Sequence, residues 1–338
     1  MTLPAVVPPP TGTGQAKATP KFEFTTPLDD EYLNALIYGE YGVGKSTLAA
    51  TAADVPQMQD VLYLAAEAGE KVLKPFAAHG HLTVVRISNY STLARVYEWM
   101  VLHCRYRDAD DMEKLAQLES MITGVVPTAP KQFRTVVLDS LTEMQVYLMY
   151  QLLGIEIGRS RLDLPPDSPE FKEWGQSSEM IKLLIRSFRD LHLNVIIVCS
   201  MEEKEDEKKR QLKRLLLPGK LANNVQGFLD IVGYLEKAKT DMGYAWRLNL
   251  TSGQTFQAKN RFGPTAPPHL DAPTMAQLYA LNNPPMTTSP KESTTNGSTT
   301  ATDSPTSSSP SASGPGPVRG PVRVGSTPGR GPVRAPGR

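Results

Sequence analysis

The chain has 338 residues, of which 40% are hydrophobic, and a formal net charge of +1. That length holds one large domain or two small ones, and the near-neutral charge excludes a global electrostatic footprint for nucleic acid, so any DNA contact has to come from a local patch. The two cysteines, Cys104 and Cys199, are far apart and have no histidines at ligand spacing, which argues against a zinc site or a disulfide framework and fits a reducing compartment.

Residues 1–22 are rich in Pro, Gly and Thr and are expected to form a flexible arm. The first residues lack the basic region and apolar block of a signal peptide. No apolar run approaches the roughly 18 residues a membrane span needs, so a cytoplasmic protein is expected. Residues 23–283 alternate apolar strands with helical spacing. Strands are predicted at 34–38, 61–65, 82–87, 135–139, 194–199, 231–235, 245–250 and 254–258. Helices are predicted at 45–53, 90–106, 110–122 and 177–192. Near-continuous apolar strands between helices predict a mostly parallel α/β sheet covered on both faces, and the closely spaced late strands predict an antiparallel extension at one edge. From about Pro284 the composition turns to Ser, Thr, Pro and Gly, and a Gly-Pro-Val-Arg unit recurs at 316–319, 320–323 and 331–334. After Asp303 there are five arginines and no acidic residue, so residues 284–338 are expected to be a disordered basic tail, which either touches phosphates or an acidic partner or simply aids solubility.

Gly39, Glu40, Tyr41, Gly42, Val43, Gly44, Lys45 and Ser46 match the P-loop pattern G-x4-G-K-S in full, and Thr47 follows. An apolar strand precedes the segment and helix-forming residues follow it, which is the context the pattern requires. The glycines let backbone N–H groups turn inward as an anion nest, and the following helix aims its N-terminus at the phosphates. Lys45 adds positive charge near the β- and γ-phosphates, and Ser46 offers a hydroxyl to Mg²⁺. ATP with Mg²⁺ is therefore the expected cofactor pair. Asp139 ends the strand 135–139 and fits the second Mg²⁺ ligand, because ligands of open α/β sheets bind at the carboxyl ends of strands; the other reading makes it a cap for the next turn. Ser140 follows it, where many P-loop motors carry a glutamate. The water-activating base is then expected to be Glu67, on a strand expected beside the P-loop strand, with Glu70 and Glu143 as rivals; otherwise Glu67 is a solvated loop charge.

These features resemble the RecA-like P-loop ATPases. More narrowly, the chain is similar to phage-encoded AAA/RecA-type nucleotide-binding proteins related to Sak-type single-strand annealing ATPases. The resemblance covers 35–264 and rests on 37–50 (IYGEYGVGKSTLAA), 63–70 (YLAAEAGE), 137–144 (VLDSLTEM), 194–207 (NVIIVCSMEEKEDE) and 215–236 (LLLPGKLANNVQGFLDIVGYLE). It implies ATP hydrolysis, weak or DNA-stimulated, in DNA recombination or repair, with single-stranded DNA as a partner and a ring or filament of identical subunits, in the host cytoplasm if phage-encoded. Residues 257–264 (QAKNRFGP) are similar to the Lys-Asn-Arg-Phe-Gly motif of RadA-type relatives, which implies that Lys259 and Arg261 reach the γ-phosphate of a neighbouring subunit; the plainer reading is a basic turn. Ser200 stands where relatives often carry a γ-phosphate-sensing His, Gln or Asn. Candidate DNA-facing loops are 154–177, with Arg159, Arg161 and Lys172, flanked by Phe171 and Trp174, for which core packing is the stronger expectation, and 204–220, with Lys208, Lys209, Arg210, Lys213 and Arg214. The acidic run before the second patch equally permits a solvated, self-paired loop. An ATP-gated assembly protein without DNA contact is the alternative.

Overall fold

The computed structural model describes residues 32–67, 69–155, 169–205, 209–240, 243–263 and 266–284. The arm and almost all of the tail lie outside these residues, as do Arg159, Arg161, Lys208 and Pro264. In chain order the elements are β1 (Asn34–Gly39), α1 (Lys45–Ala50), β2 (Val61–Ala65), α2 (Lys74–Ala77), β3 (Leu82–Arg86), α3 (Tyr90–Asp108), α4 (Met112–Thr123), β4 (Thr135–Asp139), α5 (Leu141–Leu152), α6 (Phe171–Arg189), β5 (Asn194–Glu205), β6 (Gln211–Leu215), α7 (Leu221–Gln226), β7 (Ile231–Thr240), β8 (Gly243–Asn249), β9 (Lys259–Asn260), β10 (His269–Asp271) and α8 (Met275–Asn282). Short 3-10 turns follow α1 and precede α2.

The strands form one sheet in the order β10-β8-β7-β1-β5-β4-β2-β3. The six from β7 to β3 run parallel, and β8 and β10 extend the β7 edge antiparallel. β9 pairs with the start of β7, on Ile231 and Val232, and β6 folds back on β5 as a hairpin. Strand β5 thus lies between the strand feeding the Gly-rich loop and the strand ending in Asp139. This arrangement, with its antiparallel edge, is the RecA-like P-loop NTPase fold.

Alternation along the parallel strands builds two cores. Leu36, Tyr38, Leu62, Leu64, Val136, Leu138, Val195 and Ile197 face α3, α5 and α6. Ala35, Ile37, Tyr63, Val137, Ile196 and Val198 face α1 and α8. Because side chains alternate every residue, Asp139 shares the face of Val137 and points to the α1 side.

Several expectations are corrected. Strand β2 is not beside β1: β5 and β4 stand between them. The helix after the loop ends at Ala50, where a 3-10 turn takes over. Residues 254–258 form no strand, only one bridge from Phe256 to Lys213, and pairing resumes at Lys259. The basic segment 211–215 is a strand, because it pairs antiparallel with the extension of β5 from Met201 to Glu205. Phe171 and Trp174 are exposed on the first turn of α6, not packed in the core. Among the described residues no helix is long and apolar enough to cross a membrane.

Candidate active site

The loop 39–46 begins where β1 leaves the sheet. Gly39 is a steric requirement, since a Cβ there would lie 2.3 Å from the carbonyl oxygen of Leu235 on β7. Gly44 has φ 102°, a left-handed conformation that L side chains rarely adopt. It turns the chain into α1 at the point where Lys45 and Ser46 must follow.

Lys45 is buried, and its Nζ donates to the carbonyls of Gly39, at 3.0 Å, and Glu40, at 2.8 Å. Burial pulls the ammonium below its ordinary pKa, against the opposing charges of Glu67 and Asp139. The lysine thus lies inside the concave loop, held by backbone oxygens and facing two carboxylates.

Asp139 is buried at the end of β4. The Tyr63 hydroxyl donates to its Oδ2. Burial raises the Asp139 carboxyl above the usual range, and hydrogen bonding from Ser46 and Tyr63 and the charge of Lys45 pull it back. Its Oδ1 is buried with no hydrogen-bond partner, and so is Ser200 Oγ at the level of Gly39 on β5. A buried polar atom left this way costs about 1–3 kcal/mol, more when charged. A divalent cation held by Ser46 and Asp139 removes that cost, so the residues fit Mg²⁺ with a nucleotide polyphosphate.

Glu67 follows β2 across the same end of the sheet. Ser140, the N-cap of α5, donates its hydroxyl to Glu67 Oε1. The stretch is pinned twice more, by Ala66 N to the Asp139 carbonyl at 2.6 Å and by Tyr147 Oη to the Ala66 carbonyl at 3.0 Å. Glu67 therefore comes to the same end of the sheet although two strands separate β2 from β1. Of its rivals, Glu70 is taken up on the surface by Arg86, with contacts of 2.7 and 2.9 Å. Glu143, on the first turn of α5, has its carboxyl raised by burial and then by the charge of Glu67.

Lys259 and Arg261 stand apart from this group. They lie by the start of β7, which reaches the level of Gly39 only at Leu235, midway along the strand. Lys259 Nζ donates to the Gln226 carbonyl at 2.6 Å, and Arg261 pairs with Asp230 at 3.1 Å. In the hairpin, Arg214 pairs with Glu202 at 2.6 Å, and Lys213 Nζ donates to Tyr234 Oη at 3.0 Å and lies 3.8 Å from Glu40.

Three side chains at the site escape a sequence reading. Tyr63 passes for an ordinary core residue, although a buried phenol needs a partner and its position in an otherwise aliphatic strand was the available signal. Ser140 stands out in the sequence only as the place of a missing glutamate. Trp246 comes from β8, two hundred positions from the loop, and its Nε1 is 3.3 Å from where a Gly44 Cβ would be.

Residues 31–262 match the family model described as AAA domain. No curated protein matches the chain. Among solved structures, the flagellar accessory protein FlaH from Methanocaldococcus jannaschii is 10% identical over 71% of this chain and 85% of its own, with a TM-score of 0.35. A KaiC-like protein from Pyrococcus horikoshii OT3 is 12% identical over 72% of this chain and 90% of its own, with a TM-score of 0.34.

Proposed function

The chain belongs to the AAA domain family, and from that premise we propose that this RecA-like ATPase couples nucleotide turnover to binding or annealing single-stranded DNA, in phage recombination or repair. Bound ATP with Mg²⁺ supplies the scissile anhydride and the charge that activates it. In this proposal Lys45 neutralises phosphate charge, Ser46 and Asp139 hold the cation, and Glu67 orients and polarises the attacking water. Lys259 and Arg261 serve the phosphates of a neighbouring copy, as charge-stabilising groups supplied in trans.

The observation that carries the DNA reading is the β5–β6 hairpin. Strand β5 continues past Ser200 to Glu205, beyond its register with β1 and β4, and pairs there with β6. The hairpin bears Lys204, Lys209, Arg210, Lys213 and Arg214, and Lys213 reaches back to Glu40 of the phosphate loop. A projection rooted between the two nucleotide-binding strands, with its basic residues other than Lys204 gathered on the β6 side opposite Glu202, Glu203 and Glu205 of β5, suits a phosphate backbone whose grip changes with nucleotide state. A second reading, an ATP-gated assembly protein without DNA contact, is favoured by the pairing of Arg214 with Glu202 and of Lys213 with Tyr234, which engages part of the patch within the chain.

ATP hydrolysis by the purified protein, with and without single-stranded DNA and across a salt series, separates the two. The DNA reading expects stimulation that fades as salt rises and that weakens when Lys209 and Arg210 are replaced by glutamate. Turnover that ignores DNA at every salt concentration would leave the assembly reading.

A further inference from the structure

Beside the phosphate loop lies a cavity of about 200 Å³, lined among others by Gly44, Thr47, Leu48, Thr51, Trp246 and Pro273. It is continuous with the loop, because Gly44 belongs to both and Thr47 directly follows the loop. It is smaller than the ~300–1,000 Å³ of pockets that enclose a whole drug-sized ligand, and so suits one ring system whose remaining atoms lie outside. One wall is Trp246, which is 52% exposed although it is a large aromatic on β8. The turn opposite is fixed to its surroundings: Ala272 N donates to the Trp246 carbonyl at 2.8 Å, and Met275 N donates to Thr51 Oγ1 at 2.9 Å.

We propose that this cavity takes the purine ring of the nucleotide, stacked on Trp246 and bounded by Pro273, and that it recognises the face of the ring rather than its edge. The proposal rests on the reading of residues 39–46 as the phosphate site. An indole half open to solvent beside a phosphate loop offers a flat apolar surface to a base, and stacking of this kind is sequence-tolerant because every base has a π-face. Edge recognition needs polar groups from side chains or backbone; Ala272 N–H and the Trp246 carbonyl are engaged with each other, and the lining has few polar side chains. Its polar side-chain groups are the hydroxyls of Thr47 and Thr51 and the indole N–H. The Thr51 hydroxyl already donates to the Leu48 carbonyl at 2.7 Å while accepting from Met275. Adenine and guanine nucleotides are therefore accepted alike, and smaller pyrimidines, with less surface to stack, bind more weakly.

The test is calorimetric titration of the full chain with the Mg²⁺ complexes of ATP, GTP, UTP and inorganic tripolyphosphate, for the natural protein, Trp246→Ala and Trp246→Phe. ATP and GTP are expected to bind within about fivefold of each other, and UTP about tenfold or more weaker, on the scale of one base stack. Trp246→Ala is expected to weaken ATP about tenfold and leave tripolyphosphate unchanged, and Trp246→Phe to restore most of the loss. Undiminished ATP binding by Trp246→Ala, an equal loss for tripolyphosphate, or a large preference for one purine would each overturn the proposal. Failure of the natural protein to bind either ATP or tripolyphosphate would instead remove the phosphate-site reading, and the base site with it.

Discussion

Tyr63 braces Asp139, the carboxylate proposed to hold the cation. It sits on β2, on the sheet face that meets α1, and its hydroxyl donates to Asp139 Oδ2. A hydrogen bond to a charged group contributes about 1.5–3 kcal/mol, and its role here is to fix the carboxylate whose other oxygen is without a partner. Tyr63→Phe keeps the ring and loses only the hydroxyl, so the fold is retained. The Mg²⁺ concentration for half-maximal hydrolysis is expected to rise about tenfold, with turnover at saturating Mg²⁺ close to normal. An unchanged Mg²⁺ requirement would show that Asp139 needs no such support. Glu67→Gln tests a different step: nucleotide affinity is expected to persist while turnover falls about a hundredfold or more, as general-base removal does. Normal turnover would pass the role to Glu143. At this scale the sequence revealed the residues that follow from local rules. The loop pattern and the carboxylates at strand ends were visible, because a phosphate nest and a strand terminus are local properties of the chain. Tyr63, Ser140 and Trp246 were not, since each acquires its partner only when strands distant in sequence become neighbours.

The elements show the same division. Those with a marked local pattern, the continuous apolar runs of β2 and β4 and the helical spacing of α3, are legible to within two residues, whereas β6 reads as part of a charged loop because its strand character depends on pairing with β5. Helix α3 carries a consequence for stability. His103 is buried on it, stacked on Trp99 at 5.2 Å and tilted against Phe133 at 5.2 Å, with Nε2–H donating to the Lys131 carbonyl at 3.0 Å and Nδ1 without a partner. Burial, only partly opposed by that hydrogen bond, lowers its pKa from 6.5 to about 4. The unfolded chain therefore takes up the proton first. The stability held by neutral His103 is complete above about pH 6.5 and is lost as pH falls towards 4, at about 1.4 kcal/mol per pH unit. His103→Phe removes the titration while filling the aromatic cluster. Urea midpoints at pH 7 and pH 4.5 are expected to differ less in the variant than in the natural protein, and an equal difference would place the acid sensitivity elsewhere.

Across the whole molecule, the sheet separates two sets of basic residues by the length of its strands. Lys45 follows Gly39 at the carboxyl end of the parallel strands. Arg261 follows β9, which pairs with Ile231 and Val232, and Ile231 is in register with Ala35 while Leu235 is in register with Gly39. Four residues of strand at ~3.3 Å each make about 13 Å along the sheet, on the side away from the loop. Arg261 is thus badly placed for the phosphates of its own chain. In a head-to-tail assembly the amino end of one sheet can face the carboxyl end of the next, a heterologous contact that generates rings or filaments. The pairing with Asp230 and the Gly227 carbonyl offers the competing account, in which Arg261 only secures the turn after α7. Mixing separates the two accounts. Lys45→Ala and Arg261→Ala proteins are each expected to be nearly inactive alone, yet a mixture regains part of the activity, because some interfaces combine an intact loop with an intact arginine. Inactivity of every mixture, or a melting temperature for Arg261→Ala lowered enough to explain its loss, would confine the arginine to its own subunit.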